Sequence, residues 1–305
     1  MSNEVLKGAS EGITVHYRLS SDEVDKVIPG EVMVPGSVFE GIAETMEGEM
    51  RISTTTRRIV VNSDSAIYKL KPMKACIPSI PKTAPLFAAS GKELVKVLKG
   101  VLFGNQVGIY LEPGGSFLKA VDPFMSAEIS LSADCDTKAR LALPVRQLLR
   151  LMPLLRTSDS ELITIGANDR ATVFTSEKWD ASIQNVCSIL EGVPLPNDFP
   201  MFMIADVSDL TYIFTIAVIC GGHCEVYTED GRLHMKSDSE TLSGSCSIPV
   251  IEGSLPTFKI NPVHMLHALK ACALWENTVY VGTDLNRLKV ANETCKFGIA
   301  VLRSA

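Results

Sequence analysis

The 305-residue chain has no run of about 18 or more apolar residues, the length a membrane-spanning helix needs. Its opening, "MSNEVLKGASEG", carries neither the basic start nor the apolar stretch of a secretory signal, so a cytoplasmic protein is expected. None of the eight cysteines is paired at CxxC spacing, and nearly all sit in apolar or strand-like runs, which reads as buried, reduced thiols. Cys220, His223 and Cys224 are the one cluster with ligand chemistry, but no second pair of ligands lies nearby in the chain, so no metal is expected. There is no Walker loop, no GxSxG and no HExxH, and there are only five histidines. Gly114-Gly115 falls in a strand-to-strand turn rather than ahead of a helix, which argues against a phosphate cradle. Nothing here assembles a catalytic constellation, so neither an enzyme nor a cofactor is expected. The net charge of −6 excludes a protein coated all over in base, but not a local basic strip.

What the chain does have is an internal repeat. Apolar residues make up 46% and charged residues 21%, ordinary for a folded protein long enough for two or three domains. Three phrases read as the end of a strand running into an amphipathic helix: "VMVPGSVFEGIAE", "LALPVRQLLRLMP" and "KINPVHMLHALKA". Their prolines, Pro35, Pro144 and Pro262, lie roughly 110–120 residues apart, far too long a period for a solenoid. Proline can open a helix cheaply because the first amide would lack a partner anyway. Apolar residues then recur at helical spacing: Val38, Ile42 and Met46; Val145, Leu148 and Met152; Val263, Leu266 and Leu269. Each helix is followed by two or three short strands, as in "ELITIGANDRATVFTSEKWDASI", and a similar strand phrase precedes each proline, as in "EVYTEDGRLHMKSDSETLSGSCSI". In the second and third copies a further helix, "GKELVKVLKGVLF" or "DVSDLTYIFTIAVI", comes before that phrase. The unit is therefore helix plus strands, written twice per domain. This predicts an α+β protein of three tandem domains, 1–82, 83–198 and 199–305, with helices on the inner face of a curved array and antiparallel sheets outside.

These phrases, in order, resemble the bacterial sliding clamp, the β subunit of DNA polymerase III. "PGEVMVPGSVFEGIAETMEGE" is similar to the family's first-domain strand and helix start. "VLKGVLF" resembles its "L-x-G-x-L-F" phrase, "LKAVDPFMSAEISL" stands where it has "ATDGHRLA", and "FKINPVHMLHALKA" is similar to its "FN-x-x-Y-L-x-D-x-L" helix. The resemblance covers essentially the whole chain, and its strength lies in the ordered series rather than in any one motif. It implies a head-to-tail homodimeric ring that encircles double-stranded DNA without reading its sequence. The implied partners are the polymerase catalytic subunit, clamp-loader subunits and other proteins with short clamp-binding peptides; no membrane is involved. By the repeat's own logic roughly thirty residues, an opening strand and helix, are missing from the first domain, so the expectation is either that Met1 is not the natural start or that this is a divergent, reduced clamp with an incomplete first core.

Several residues carry these expectations. Lys92, Lys96 and Lys99 lie on one helix face opposite Leu94, Val95, Leu98 and Leu102, and Arg146 and Arg150 make a second basic row. They are either solvated faces or the DNA-facing lining of the hole, attracting phosphates without reading bases. Glu40 and Glu44 in the first domain and Asp206 and Asp209 in the third do not continue the basic strip. By position, the family's peptide cleft would use Leu98, Val121, Pro123, Ser126, Pro196, Val301, Leu302 and Arg303, residues that ordinary interdomain packing would also explain. The chain has Pro123, Phe124, Met125 and Ser126 where the family has Gly, His, Arg and Leu, which predicts an altered peptide specificity. The implied dimer interface pairs Ala66, Ile67 and Tyr68 with Ile219 and Cys220, residues apolar enough for an interface or a core. A clamp-fold interaction protein that binds replication peptides or another clamp without encircling DNA is the alternative.

Overall fold

The computed structural model describes residues 5–10, 13–18, 36–45, 50–54, 58–63, 66–72, 77–132, 135, 138–186, 199–284 and 286–302. These residues form five helices and twenty-two strands, and every strand pairing with a printed register is antiparallel, as an α+β fold requires. The chain divides into two compact units, Met1–Pro81 with Glu177–Ser182, and Lys82–Ser176 with Ile183–Ala305.

In the first unit, Val5–Ser10 and Ile13–Arg18 form an antiparallel hairpin with Ser10 opposite Ile13. The backbone amide of Arg18 donates to Lys178 O at 2.6 Å, and the Arg18 guanidinium pairs with the Asp180 carboxylate, so 177–182 is held beside the second strand. Helix α1, Gly36–Thr45, stands with a three-stranded sheet of Arg51–Thr54, Ile59–Asn62 and Ile67–Leu70. The period of two puts Ile59 and Val61 on the buried face beside Ile42 of α1, with Tyr68 and Leu70 packed against them. The Tyr68 hydroxyl lies 3.1 Å from Thr45 Oγ1 in the last turn of α1.

The second unit contains the other four helices. Helix α2, Gly91–Val101, starts at Ser90, whose hydroxyl accepts from the Glu93 amide at 3.2 Å. The sequence S-x-x-E suggests a reciprocal capping box, but Glu93 Oε1 instead accepts from the Ser132 amide at 2.8 Å. Leu94, Val95, Val97, Leu98 and Val101 make the buried face. Helix α3, Val145–Thr157, follows a strand that runs through Pro144, so this proline is the residue before the helix rather than its first residue. Helix α4, Val207–Cys220, is capped by Asp206, which accepts from the Ser208 and Asp209 amides. A bond from the Ser208 hydroxyl, together with those two amide bonds, favours the charged carboxylate and lowers its pKa below the ordinary aspartate value. Helix α5, Pro262–Cys272, has Asn261 as its cap and Pro262 in its first turn.

Val263, which helical period puts on the core face of α5, is 55% exposed, because Pro262 takes the buried position and shifts the apolar stripe to Pro262, Met265, Leu269 and Cys272. Val38 of α1, likewise expected on the apolar face, is exposed. Pro35 and Met46 lie outside the described residues.

The largest sheet has nine strands in the order Ala139–Pro144, Gln106–Leu111, Ser116–Val121, Met125–Leu131, Cys295–Ala300, Arg287–Ala291, Thr278–Thr283, Met201–Asp206 and Glu252–Gly253. Its middle joint pairs Ser126 with Gly298 and Ala127 with Phe297, so two repeats of the sequence share one hydrogen-bonded sheet. Alternation sends Ala127, Ile129, Phe297 and Ile299 to the buried face. Helices α2 and α5 meet over this joint, and Gly100 makes that possible: a Cβ there would run into the Ile129 side chain and stand 3.2 Å from Ala271 Cβ. A four-stranded sheet orders Ser243–Pro249, Arg232–Asp238, Cys224–Glu229 and Phe258–Ile260, with Ser243–Pro249 at its edge. The remaining second-unit strands pair Ala84–Ser90 with Leu162–Ala167 and the latter with Ala171–Thr175.

Candidate functional site

Three surfaces carry the residues singled out in the sequence. The first is the polar side of α2 and α3. Lys92 and Lys99 are exposed, as are Arg146 and Arg150, because the opposite faces bury Leu94, Leu98, Leu148 and Leu151. Lys96 departs from its row. It is half-buried, and its Nζ lies 3.5 Å from the centroid of the Trp275 ring, at the end of α5. The α3 face also exposes Leu149 between its two arginines. Helix α4 has no lysine or arginine, and Glu44 is exposed on α1; the side chain of Glu40 is not among those described.

The second surface surrounds the turn 122–125. Val121 pairs with Ser126, and the Asp122 carboxylate accepts from the Phe124 amide at 2.7 Å and the Met125 amide at 2.6 Å, which fixes the turn. Pro123 and Phe124 project from it, Phe124 being 57% exposed. The C-terminal strand is bound alongside: Phe124 O accepts from the Ala300 amide at 2.8 Å, Asn286 O from Val301 at 3.1 Å and Lys259 O from Leu302 at 2.8 Å. The structure thus gathers Val121, Pro123, Ser126, Val301 and Leu302. Leu98 sits on the buried face of α2, 2% exposed, and Ser126 is also buried, so these two support the surface rather than present it. Pro196 and Arg303 lie outside the described residues.

Sequence reasoning missed the helix wall of this surface. The Phe124 ring stacks on His264 of α5 with centroids 5.8 Å apart and planes at 20°. Deeper in, His267 meets Phe103 edge-on at 5.4 Å, and its Nε2 lies 3.1 Å from Gly100 O. The only available signal was the pair of histidines at i and i+3 in α5, which puts both on one side of the helix.

The third set consists of sheet edges and their flanking helices, each within its own unit. In the first unit Ile67–Leu70 is the outer strand of its sheet; Ile67 is 64% exposed, and Ala66 and Tyr68 are half-buried. In the second unit Ser243–Pro249 is an outer strand and α4 packs on it. Ile219 is 69% exposed, and Tyr212, unforeseen from the sequence, is exposed two turns earlier on the same face. Cys220 is buried, so it contributes no surface.

The arrangement can be set beside known proteins. A DNA polymerase sliding clamp from Bacillus subtilis superimposes with a TM-score of 0.86 at 16% identity, covering 99% of this chain and 89% of that one. The DNA polymerase III β subunit of Thermotoga maritima gives 0.85 at 16% identity, again covering 99% and 89%. The fold is that of the bacterial sliding clamps. The Pseudomonas aeruginosa sliding clamp bound to griselimycin shares it as well, with a TM-score of 0.83, 16% identity and coverage of 98% and 88%. No sequence-family model and no characterised relative matches the chain by sequence. The chain thus has the sliding-clamp fold at 16–17% sequence identity to these clamps. Among the described residues no helix is long and apolar enough to cross a membrane, and no group of histidine, cysteine and acidic side chains has the geometry of a metal site.

Proposed function

We propose that the chain is a DNA polymerase processivity factor, two copies of which close head to tail around duplex DNA. In this reading residues 1–82, 83–198 and 199–305 are three clamp domains, and the protein is an accessory subunit without catalysis of its own. The observation that carries it is the likeness to sliding clamps over 98–99% of the chain. Two further features support it. Ile67–Leu70 and Ser243–Pro249 are outer strands, and α4 beside the second exposes Tyr212 and Ile219, an apolar face of the kind that a partner covers. Lys92, Lys99, Arg146 and Arg150 supply local positive charge on a protein of net charge −6, suited to phosphate contacts that do not depend on sequence.

The surface beside Phe124, with Val121, Val301 and Leu302, is proposed to take short peptides from the polymerase catalytic subunit, clamp-loader subunits and other replication proteins. The P. aeruginosa clamp's complex with griselimycin supports a ligand-binding surface on this fold. The Phe124–His264 stack is the basis for expecting its own peptide preference. A second reading, a clamp-fold adaptor that does not encircle DNA, draws on the absence of lysine and arginine from α4 and on the exposed Glu44 of α1. The deciding experiment is the native mass of the full chain at micromolar concentration, followed by retention on circular DNA. A dimer held on circular DNA and lost on linearisation is expected; a monomer, or retention indifferent to linearisation, leaves the adaptor.

A further inference from the structure

Within the chain, the joint where α2 packs on α5 is a helix crossing built at a few defined positions. Gly100, the tenth residue of α2, meets Ala271, the tenth of α5: a Cβ built on the glycine would stand 3.2 Å from Ala271 Cβ. His267, the sixth residue of α5, has its Nε2 3.1 Å from Gly100 O and its ring edge-on to Phe103 at 5.4 Å. Phe103 is thirteenth counted from the start of α2.

The same positions on α4 face outward. Counted the same way, Ile216 stands where Gly100 does and Ile219 where Phe103 does. Ile219 is 69% exposed and Ile216 half-buried, while the inner side of α4 buries Leu210, Phe214 and Ala217. Asp209 is the one charged residue of α4, and a helix apolar on every side belongs in an interior. Helix α1 carries the matching receiving side. Gly41 and Thr45, its sixth and tenth residues, take the places of His267 and Ala271. Both are exposed, and a Cβ on Gly41 would meet nothing within 4 Å. Val38, one turn earlier on that side, is 42% exposed.

We propose that α4 of one copy seats on α1 of a second copy in the manner of α2 on α5, with Ile219 over Gly41 and Ile216 against Thr45. The bulk at the crossing is moved rather than lost. Within the chain the small pair is Gly100 with Ala271 and the large pair is Phe103 with His267. Between copies the absent Gly41 side chain makes room for Ile219, and Ile216 fills the place that glycine leaves open on α2. A second copy is the occupant because one chain carries both complementary sides, projecting isoleucines on α4 and a glycine notch on α1. The seat rests on the head-to-tail reading. It adds to the outer strands Ile67–Leu70 and Ser243–Pro249 a helix pair whose large and small residues fix the register in which two copies meet.

The test fills the notch and then trims its occupant. Gly41→Leu in the full chain should leave the urea midpoint at or above that of the wild type, because leucine is the better helix former at an open position. Sedimentation at several concentrations should show its self-association weakened about tenfold or more. Ile219→Ala should weaken association alone, yet recover most of the loss when added to Gly41→Leu, since the two residues are read as one contact. Gly41→Leu associating as well as the wild type overturns the seat, as does a double variant no better than Gly41→Leu alone. A wild-type chain that stays monomeric removes the head-to-tail reading and the seat together. A wild-type dimer indifferent to Gly41→Leu removes the seat and leaves that reading standing.

Discussion

The ammonium of Lys96 sits 3.5 Å from the centroid of the Trp275 indole, tying the middle of α2 to the end of α5. A cation over an indole face contributes roughly 0.5–2 kcal/mol, the upper value when the pair is partly desolvated. The contact removes one lysine from the row that also contains Lys92 and Lys99 and spends it on the joint between repeats.

This separates three lysines that the sequence presents as equivalent. Lys92→Ala and Lys99→Ala should each weaken duplex binding and reduce the slope of log affinity against log salt by about 0.9, the value for one lost phosphate contact. Lys96→Ala should change that slope less but alter the Trp275 emission, with Trp275→Phe as the reference for the fully buried Trp179. Equal salt slopes for the three variants would show that Lys96 leaves the indole to meet phosphate.

Ile67 and Ile219 are large apolar side chains left in solvent at 64% and 69% exposure. Changing either to Asp should cost the fold no more than about 0.5 kcal/mol, because little packing is lost. Each should nonetheless weaken self-association about tenfold or more, as expected when an interface anchor of about 1.4 kcal/mol or greater is replaced by a charge. Sedimentation at several concentrations reads the association, and urea unfolding reads the fold. Undiminished dimerisation in both variants would remove these residues from the interface.

The buried thiols give stability a definite dependence on alkaline pH. Burial raises the Cys224 thiol to about 12, and the Cys272 thiol is raised too by its contact with Cys295 and by burial. A thiol ionises on losing its proton, so a folded value above the unfolded value of about 8.5 stabilises the fold fully below that pH. The contribution is lost as pH rises from about 8.5 toward the folded value, by up to about 1.4 kcal/mol per pH unit for each thiol. Urea midpoints between pH 7.5 and 10 under reducing conditions should fall accordingly, and Cys224→Val should fall less steeply. A flat profile would mean that these thiols ionise as readily folded as unfolded.

Much of the fold was legible because its signals are local. The alternation in "EVYTEDGRLHMKSDSETLSGSCSI" predicts three strands, and Cys224–Glu229, Arg232–Asp238 and Ser243–Pro249 are found. Period alone was less reliable at a helix start. Val263 has the spacing of a core residue, yet the turn set by Asn261 and Pro262 gives the core position to Pro262. On the candidate surface, positional likeness brought in Leu98 and Ser126, which the structure buries, and overlooked His264, whose role depends on a turn 140 residues earlier in the chain.

The sequence by itself determined most of the helices and strands and the exposure of Lys92, Lys99, Arg146 and Arg150, since helical period, strand alternation and caps all act within a few residues. Tertiary structure decided which of those elements share a sheet and which side chains meet. Met125–Leu131 lies against Cys295–Ala300, Phe124 on His264 and Lys96 on Trp275. Each of these contacts joins residues that no local period relates, and each exists because the burial of two apolar helix faces on one sheet brings distant parts of the chain together.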